Sequence, residues 1–163
     1  MAWLPNVTGP VFAEGRAPVV KRERSFVGYA FYQTYACADG RHVALGGVEH
    51  KFVEAFLRAV DLADLIPAAC GPNGPGQAPV IAALRALFVT RSRDEWVAWA
   101  GDKDLAFAPV LDLAGAWDQP QVAARGMLVH AADGSPHIVN PVRVRGRTRA
   151  AGPDAARVGP AQS

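Results

Sequence analysis

Glu49 closes the stretch His42-Val-Ala-Leu-Gly-Gly-Val-Glu49, where an alternating pattern gives way to two glycines and then to helical spacing. A carboxylate at such an elbow has two uses. It can face the free amides of a helix N-terminus, where the helix dipole favours negative charge. It can also be aimed at a ligand, because glycines such as Gly46 and Gly47 let the backbone approach a bound molecule closely. The first use is a complete structural reason for the residue, so the residue types alone leave the choice open.

The other chemistry-bearing residues are less promising. His42, His50, His130 and His137 show no H-x-x-x-H spacing and no pairing with cysteine, so no metal is implied. There is no G-x-S-x-G, and Ser92 begins Ser-Arg-Asp-Glu95, a capping box in which serine and glutamate satisfy helix amides. Gly71-Pro-Asn-Gly-Pro-Gly76 lacks the lysine and the strand–loop–helix setting of a phosphate cradle and is expected to be a loop. Arg143, Arg145, Arg147 and Arg149 form a basic tail with no aromatic platform beside it. Cys37 and Cys70 fit free thiols of a reducing compartment.

The elements that must hold Glu49 can be read from pattern. Tyr29 to Tyr35 is aromatic-rich and suits a strand, Asp39-Gly40 marks a hairpin, and His42 to Leu45 is the return strand. Phe52, Val53, Phe56, Leu57 and Val60 recur at helical spacing, so a helix is expected from about Glu49 to a point before Pro67. A second helix is expected from Pro79 to about Thr90, and a third from the capping box to near Gly101. Phe107 to Leu111 reads as extended, and Asp112 as the cap of a helical turn over Leu113 to Trp117. Met127–His130 and His137–Val139 flank Asp133-Gly134 as a second hairpin. Strands, then helices, then strands point to an α+β fold. The expected organisation is an irregular arm over residues 1–28, a small domain over 29–142 and a loose basic tail over 143–163.

With 163 residues, half of them hydrophobic, the chain suits one globular domain. A formal net charge of +2 gives no reason to expect nucleic acid or a membrane as partner. No signal-peptide pattern and no apolar run of membrane-spanning length is evident, so a soluble cytoplasmic protein is expected.

Residues 31–49, FYQTYACADGRHVALGGVE, resemble the start of the small domain of family III CoA-transferases, a family that also contains the α-methylacyl-CoA racemases. The resemblance continues through Phe52-Val-Glu-Ala-Phe56, Ser92-Arg-Asp-Glu-Trp96, Phe107-Ala-Pro-Val-Leu111 and Gln119 to Met127, in order, over about Tyr29 to Val142. Many transferases carry a Gly-Asn-Asp-type sequence where this chain has Gly46-Gly-Val-Glu49. A glycine-rich loop of formyl-CoA-transferase-like members is replaced here by Ser25-Phe-Val-Gly-Tyr-Ala30. On both counts the chain is more similar to the racemase branch.

The resemblance implies a role for each residue. Glu49 falls on the position of a racemase catalytic glutamate, the partner of a histidine that moves the α-proton of a 2-methylacyl-CoA thioester. Tyr32, with Gly46 and Gly47, falls in the substrate-binding neighbourhood. No cofactor is implied beyond the coenzyme A thioester, which is the substrate. Family members are much longer, and their large domain carries the histidine, an aspartate and most CoA contacts. The resemblance therefore implies a fragment, an excised domain or half of a split enzyme, inactive alone, whose acyl-CoA site is completed by another chain in a homo-oligomer or a hetero-complex. Two alternatives accompany this reading: a CoA-transferase small domain, and a non-catalytic interaction remnant with Phe31, Tyr35 and Trp117 rimming an apolar surface.

Overall fold

In the computed structural model of the chain, residues 11–13, 15–22, 27–131 and 133–139 are described. Residues 1–10, 14, 23–26, 132 and 140–163, the last with the basic tail, lie outside them. Chain contacts divide the protein into two compact units, the first ending at Val110 and the second beginning at Leu111.

The first unit is built on the expected hairpin. Strand β1 (Gln33–Ala36) pairs antiparallel with β2 (His42–Leu45), with Gln33 opposite Leu45 and Ala36 opposite His42. Gly40 adopts a φ of +74°, and the Cys37 carbonyl accepts from its amide at 3.0 Å, so the Asp39-Gly40 turn forms where its residue types predict it. A third strand, β3 (Phe107–Pro109), joins the other edge of β2 antiparallel, with Phe107 opposite Leu45. Tyr35, Val43 and Leu45 are buried from one face of the hairpin, as period-two alternation requires.

Between β2 and β3 run the helices. Helix α1 (His50–Ala59) buries Val53, Phe56 and Leu57. Its end is a Schellman motif: the Leu62 amide reaches the Leu57 carbonyl at 2.8 Å and the Asp61 amide reaches Arg58 at 3.3 Å. Asp61 occupies the left-handed position, φ +58°, where glycine is usual. Short α2 (Ile66–Ala69) follows, with Pro67 inside its first turn, where a missing amide costs nothing. Helix α3 (Ala78–Phe88) buries Val80, Leu84 and Phe88, and α4 (Arg93–Ala100) buries Trp96. The α4 capping box is complete: the Ser92 hydroxyl accepts from the Glu95 amide, and the Glu95 carboxylate accepts from the Ser92 amide at 2.8 Å.

Phe88 is the hub of the core. Its ring lies 5.1 Å from Tyr35, 5.2 Å from Trp96, 5.8 Å from Phe56 and 6.2 Å from Phe107, so sheet and helices meet on one aromatic side chain. The polar ends of this cluster are satisfied: Tyr35 donates to the Ala30 carbonyl at 2.7 Å and Trp96 to the Phe88 carbonyl at 3.0 Å. Burial pushes the Tyr35 phenol well above its ordinary range.

Two expectations need correction. The first strand starts at Gln33, not Tyr29. Tyr29, Ala30 and Phe31 are buried in succession, which a half-buried strand cannot achieve, and they occupy a turn in which Tyr32 donates to the Tyr29 carbonyl at 3.2 Å. Phe31 and Tyr35 do not rim an exposed surface, since each is 1% exposed. Both are spent on the core, Phe31 in an edge-to-face contact with Phe56. Trp117 is half-buried in the second unit. Glu49 is the N-cap of α1, at the helix start its spacing predicts.

Gln77, in the loop before α3, is fully buried and ties three segments together. Its carbonyl oxygen accepts from the Ala30 amide at 3.3 Å, and its amide nitrogen faces the carbonyls of Ala68 and Ala69 and those of Gly71 and Pro72, at 3.0–3.4 Å. The turn that ends in Tyr32 is therefore pinned to the end of α2.

The second unit comprises α5 (Leu113–Trp117), α6 (Pro120–Ala124) and a hairpin of β4 (Leu128–His130) with β5 (Pro136–Ile138). Asp112 caps α5 by accepting from the Gly115 amide at 2.8 Å, as its position predicts. The architecture is α+β with antiparallel strands throughout. Among the described residues no helix is long and apolar enough to cross a membrane.

Candidate functional site: the elbow between β2 and α1

The register of the hairpin brings the candidate residues to one place. Because Gln33 pairs with Leu45, Tyr32 enters the sheet at the end where Gly46 leaves it, away from the Asp39-Gly40 turn. Gly46 continues the pairing one step further, donating to the Ala106 carbonyl at 2.9 Å. Tyr32, Gly46, Gly47 and Glu49 thus gather around one end of the three-stranded sheet, although seventeen positions separate the first from the last.

The two glycines differ. A Cβ on Gly47 would lie 2.9 Å from the Cβ of Ala106 and 2.9 Å from the Cβ of Phe52. Gly47 is buried, and its missing side chain lets the β3 approach and α1 close on the elbow. A Cβ on Gly46 would meet nothing within 4 Å, and Gly46 is exposed. Gly47 therefore holds the elbow together, and Gly46 presents bare backbone to the outside.

Glu49 follows with extended backbone, φ −72° and ψ 135°, and its carbonyl starts α1 by accepting from Phe52 and Val53 at 3.0 and 3.3 Å. Its side chain makes no capping hydrogen bond. Glutamate is one methylene longer than the residues that cap well, so its carboxylate overshoots the amides that a serine or aspartate reaches. No ion pair with a described residue engages it either, and the side chain is exposed. Among the described residues no hydrogen bond or ion pair therefore holds this acid at the helix start, in contrast with Glu95, which is locked in its capping box. Tyr32 is 46% exposed at the same end of the sheet.

The remaining candidates resolve into structural roles. Ser92 is held in its cap. Ser135 lies 2.6 Å from Asp133 and 3.1 Å from His137. The serine sits between acid and histidine, whereas nucleophilic activation needs the histidine in the middle. Ser135 also donates its amide to Asp133 at 2.9 Å, so this group is a turn device. Cys37 and Cys70 are free thiols, each pushed above the usual range by burial and then by a neighbouring carboxylate, Asp39 or Glu54. Among the described residues no three His, Cys, Asp or Glu side chains form a metal-binding group.

Sequence reasoning missed two contributors to this region, Ala106 and Gln77. Ala106 seals the elbow from a distant segment and carries no local signal. Gln77 was hidden in a glycine- and proline-rich loop, where a lone glutamine was the only available hint.

Similarity to known proteins agrees with the fold. A mutant of Rv3272 from Mycobacterium tuberculosis has the same fold with a TM-score of 0.60 and 16% identity, over 71% of this chain and 34% of that one. A CAIB/BAIF family protein from Brucella suis matches with a TM-score of 0.57 and 22% identity, over 96% of this chain and 44% of its own. The chain spans less than half the length of either structure. The family model for CoA-transferase family III matches residues 1–160, nearly the whole chain. The protein belongs to CoA-transferase family III.

Proposed function

We propose that this chain serves as the small domain of an acyl-CoA enzyme of the racemase type, and that Glu49 is the residue it contributes to the chemistry. The observation that carries this reading is the unspent carboxylate of Glu49, exposed beside the open backbone of Gly46 and on the same sheet end as Tyr32. The α-proton of an acyl-CoA thioester is acidic because the carbonyl takes up charge as an enolate. Inverting that carbon requires a base on one face, an acid on the other and stabilisation of the enolate oxygen. One proton leaves and one returns, so no other reactant is consumed.

In this proposal a histidine from a large domain, carried on another chain of a homo- or hetero-oligomer, takes the proton. Glu49 orients the imidazole and stabilises its protonated form. Tyr32 and Gly46 border the acyl group, and Gly47 fixes the distance between sheet and helix. No cofactor takes part, and the work is placed in the cytoplasm. Family membership equally supports a second reading, a CoA-transferase small domain, in which an aspartate of the large domain accepts the acyl group and CoA moves to a carboxylate.

The two readings part on products. The chain, mixed with a family large-domain chain and 2-methylacyl-CoA in deuterated buffer, incorporates one deuterium at the α-carbon under the racemase reading. Transfer of CoA to an added carboxylate without α-exchange decides for the transferase.

A further inference from the structure

A cavity of about 410 Å³ lies between the arm and α3, and it shares no residue with the elbow. Its size falls within the roughly 300–1,000 Å³ of small-molecule sites. Val19, Val20, Val27, Ile81 and Ala82 supply apolar wall, and Lys21, Arg22 and Arg85 supply charge. Among the described residues, no acidic and no aromatic side chain lines it. None of the three cations makes a salt bridge with a described carboxylate; the ion pairs among described residues engage Arg41, Arg58, Arg93 and Lys103 instead. Three like charges gathered at an apolar cavity, with no counter-ion among the described residues, are complementary to an anion.

The arm segment is held in place. Asn73 donates to the Arg22 carbonyl at 3.4 Å, and Gly74 donates to the Gly28 carbonyl at 2.7 Å. Two lining residues, Lys21 and Val27, sit at φ +67° and +64°. That region is rare for any side chain, and for a β-branched one it is an outlier. Such strain persists where the surroundings over-determine it, and it clusters at ligand clamps.

We propose that this cavity binds an aliphatic carboxylate, with the alkyl chain along the valines and Ile81 and the head group among Lys21, Arg22 and Arg85. The inference stands apart from the role of Glu49.

Calorimetric titration of the 163-residue chain with octanoate, 1-octanol and acetate tests it. Octanoate binds more tightly than about 1 mM and at least tenfold more tightly than either control, which lack the head or the chain. Arg85→Glu weakens octanoate at least tenfold, and Ala82→Trp, which fills the cavity from an exposed position of α3, abolishes binding. Circular dichroism establishes that both variants remain folded, and amide shifts on titration concentrate at Ala82 and Arg85 and spare Glu49. Octanoate binding no tighter than octanol or acetate overturns the proposal, as do folded variants that bind octanoate like the parent chain.

Discussion

Adding one methyl group to either glycine of the elbow separates its two functions. In Gly47→Ala the new carbon meets Ala106 and Phe52 at 2.9 Å each, and both contacts are Cβ atoms fixed to their own backbones. Neither neighbour can rotate away, so relief requires α1 or the segment entering β3 to move. Overpacking of this kind costs about 1–3 kcal/mol, and two rigid contacts place it near the upper end. The smaller conformational freedom of unfolded alanine returns about 0.4–1 kcal/mol, which leaves a net loss of about 2 kcal/mol. In Gly46→Ala the methyl enters open space and only the unfolded-chain term remains, a gain of about 0.5 kcal/mol. The two variants therefore differ by about 2.5 kcal/mol. With a urea m-value of about 2 kcal/mol/M, the midpoints separate by about 1.2 M, read from tryptophan fluorescence with Trp96 in the core. Equal midpoints, or Gly46→Ala as the weaker variant, would refute the assignment of Gly47 to packing and Gly46 to open surface.

Gln77→Leu keeps the volume but strips the Ala30 amide of its acceptor, and a loss of about 2–3 kcal/mol is expected in the same urea assay, with faster hydrogen exchange at Ala30. Ser92→Ala removes the α4 cap at a cost of about 1 kcal/mol. The partner of that cap sets an acid-side pH dependence: the Ser92 hydroxyl and amide hold the Glu95 carboxyl below its ordinary value of 4.5. A depressed folded-state value means the stabilisation is complete above 4.5 and is lost as pH falls below it through the folded value. Unfolding midpoints measured from pH 6 to pH 3 should show that decline, and Ser92→Ala should flatten it.

How much of this was legible depended on whether the cause was local. Asp39-Gly40, the Ser92–Glu95 box and Asp112 act through groups within three residues, and each does in the structure what its residue types predict. Helix α1 and helix α3 followed from apolar spacing, with Val53, Phe56 and Leu57, and Val80, Leu84 and Phe88, on their buried faces. The start of β1 was not legible, because Tyr29 and Phe31 look like strand residues until their three-dimensional partners are known. Gln77 holds that turn from 47 positions away. The elbow itself shows both cases. Glu49 was placed at a helix start by pattern, but its failure to cap depends on side-chain reach, and the requirement for Gly47 depends on Ala106, which only the pairing of β3 with β2 brings near. Chemistry at Glu49 was carried by resemblance to a family, and the structure adds the end of the sheet at which Tyr32 joins it.

The central claim is that Glu49 supports proton transfer at the α-carbon of an acyl-CoA. Its most direct test is the rate of deuterium uptake by 2-methylacyl-CoA in the presence of the chain and a family large-domain chain, compared between the parent sequence and Glu49→Gln. Loss of a residue that stabilises the protonated base should slow exchange by about 100-fold, at the lower end of acid–base contributions, with the fold of the variant unchanged by circular dichroism. Equal exchange by Glu49→Gln, or no exchange by the parent pair, would contradict the account.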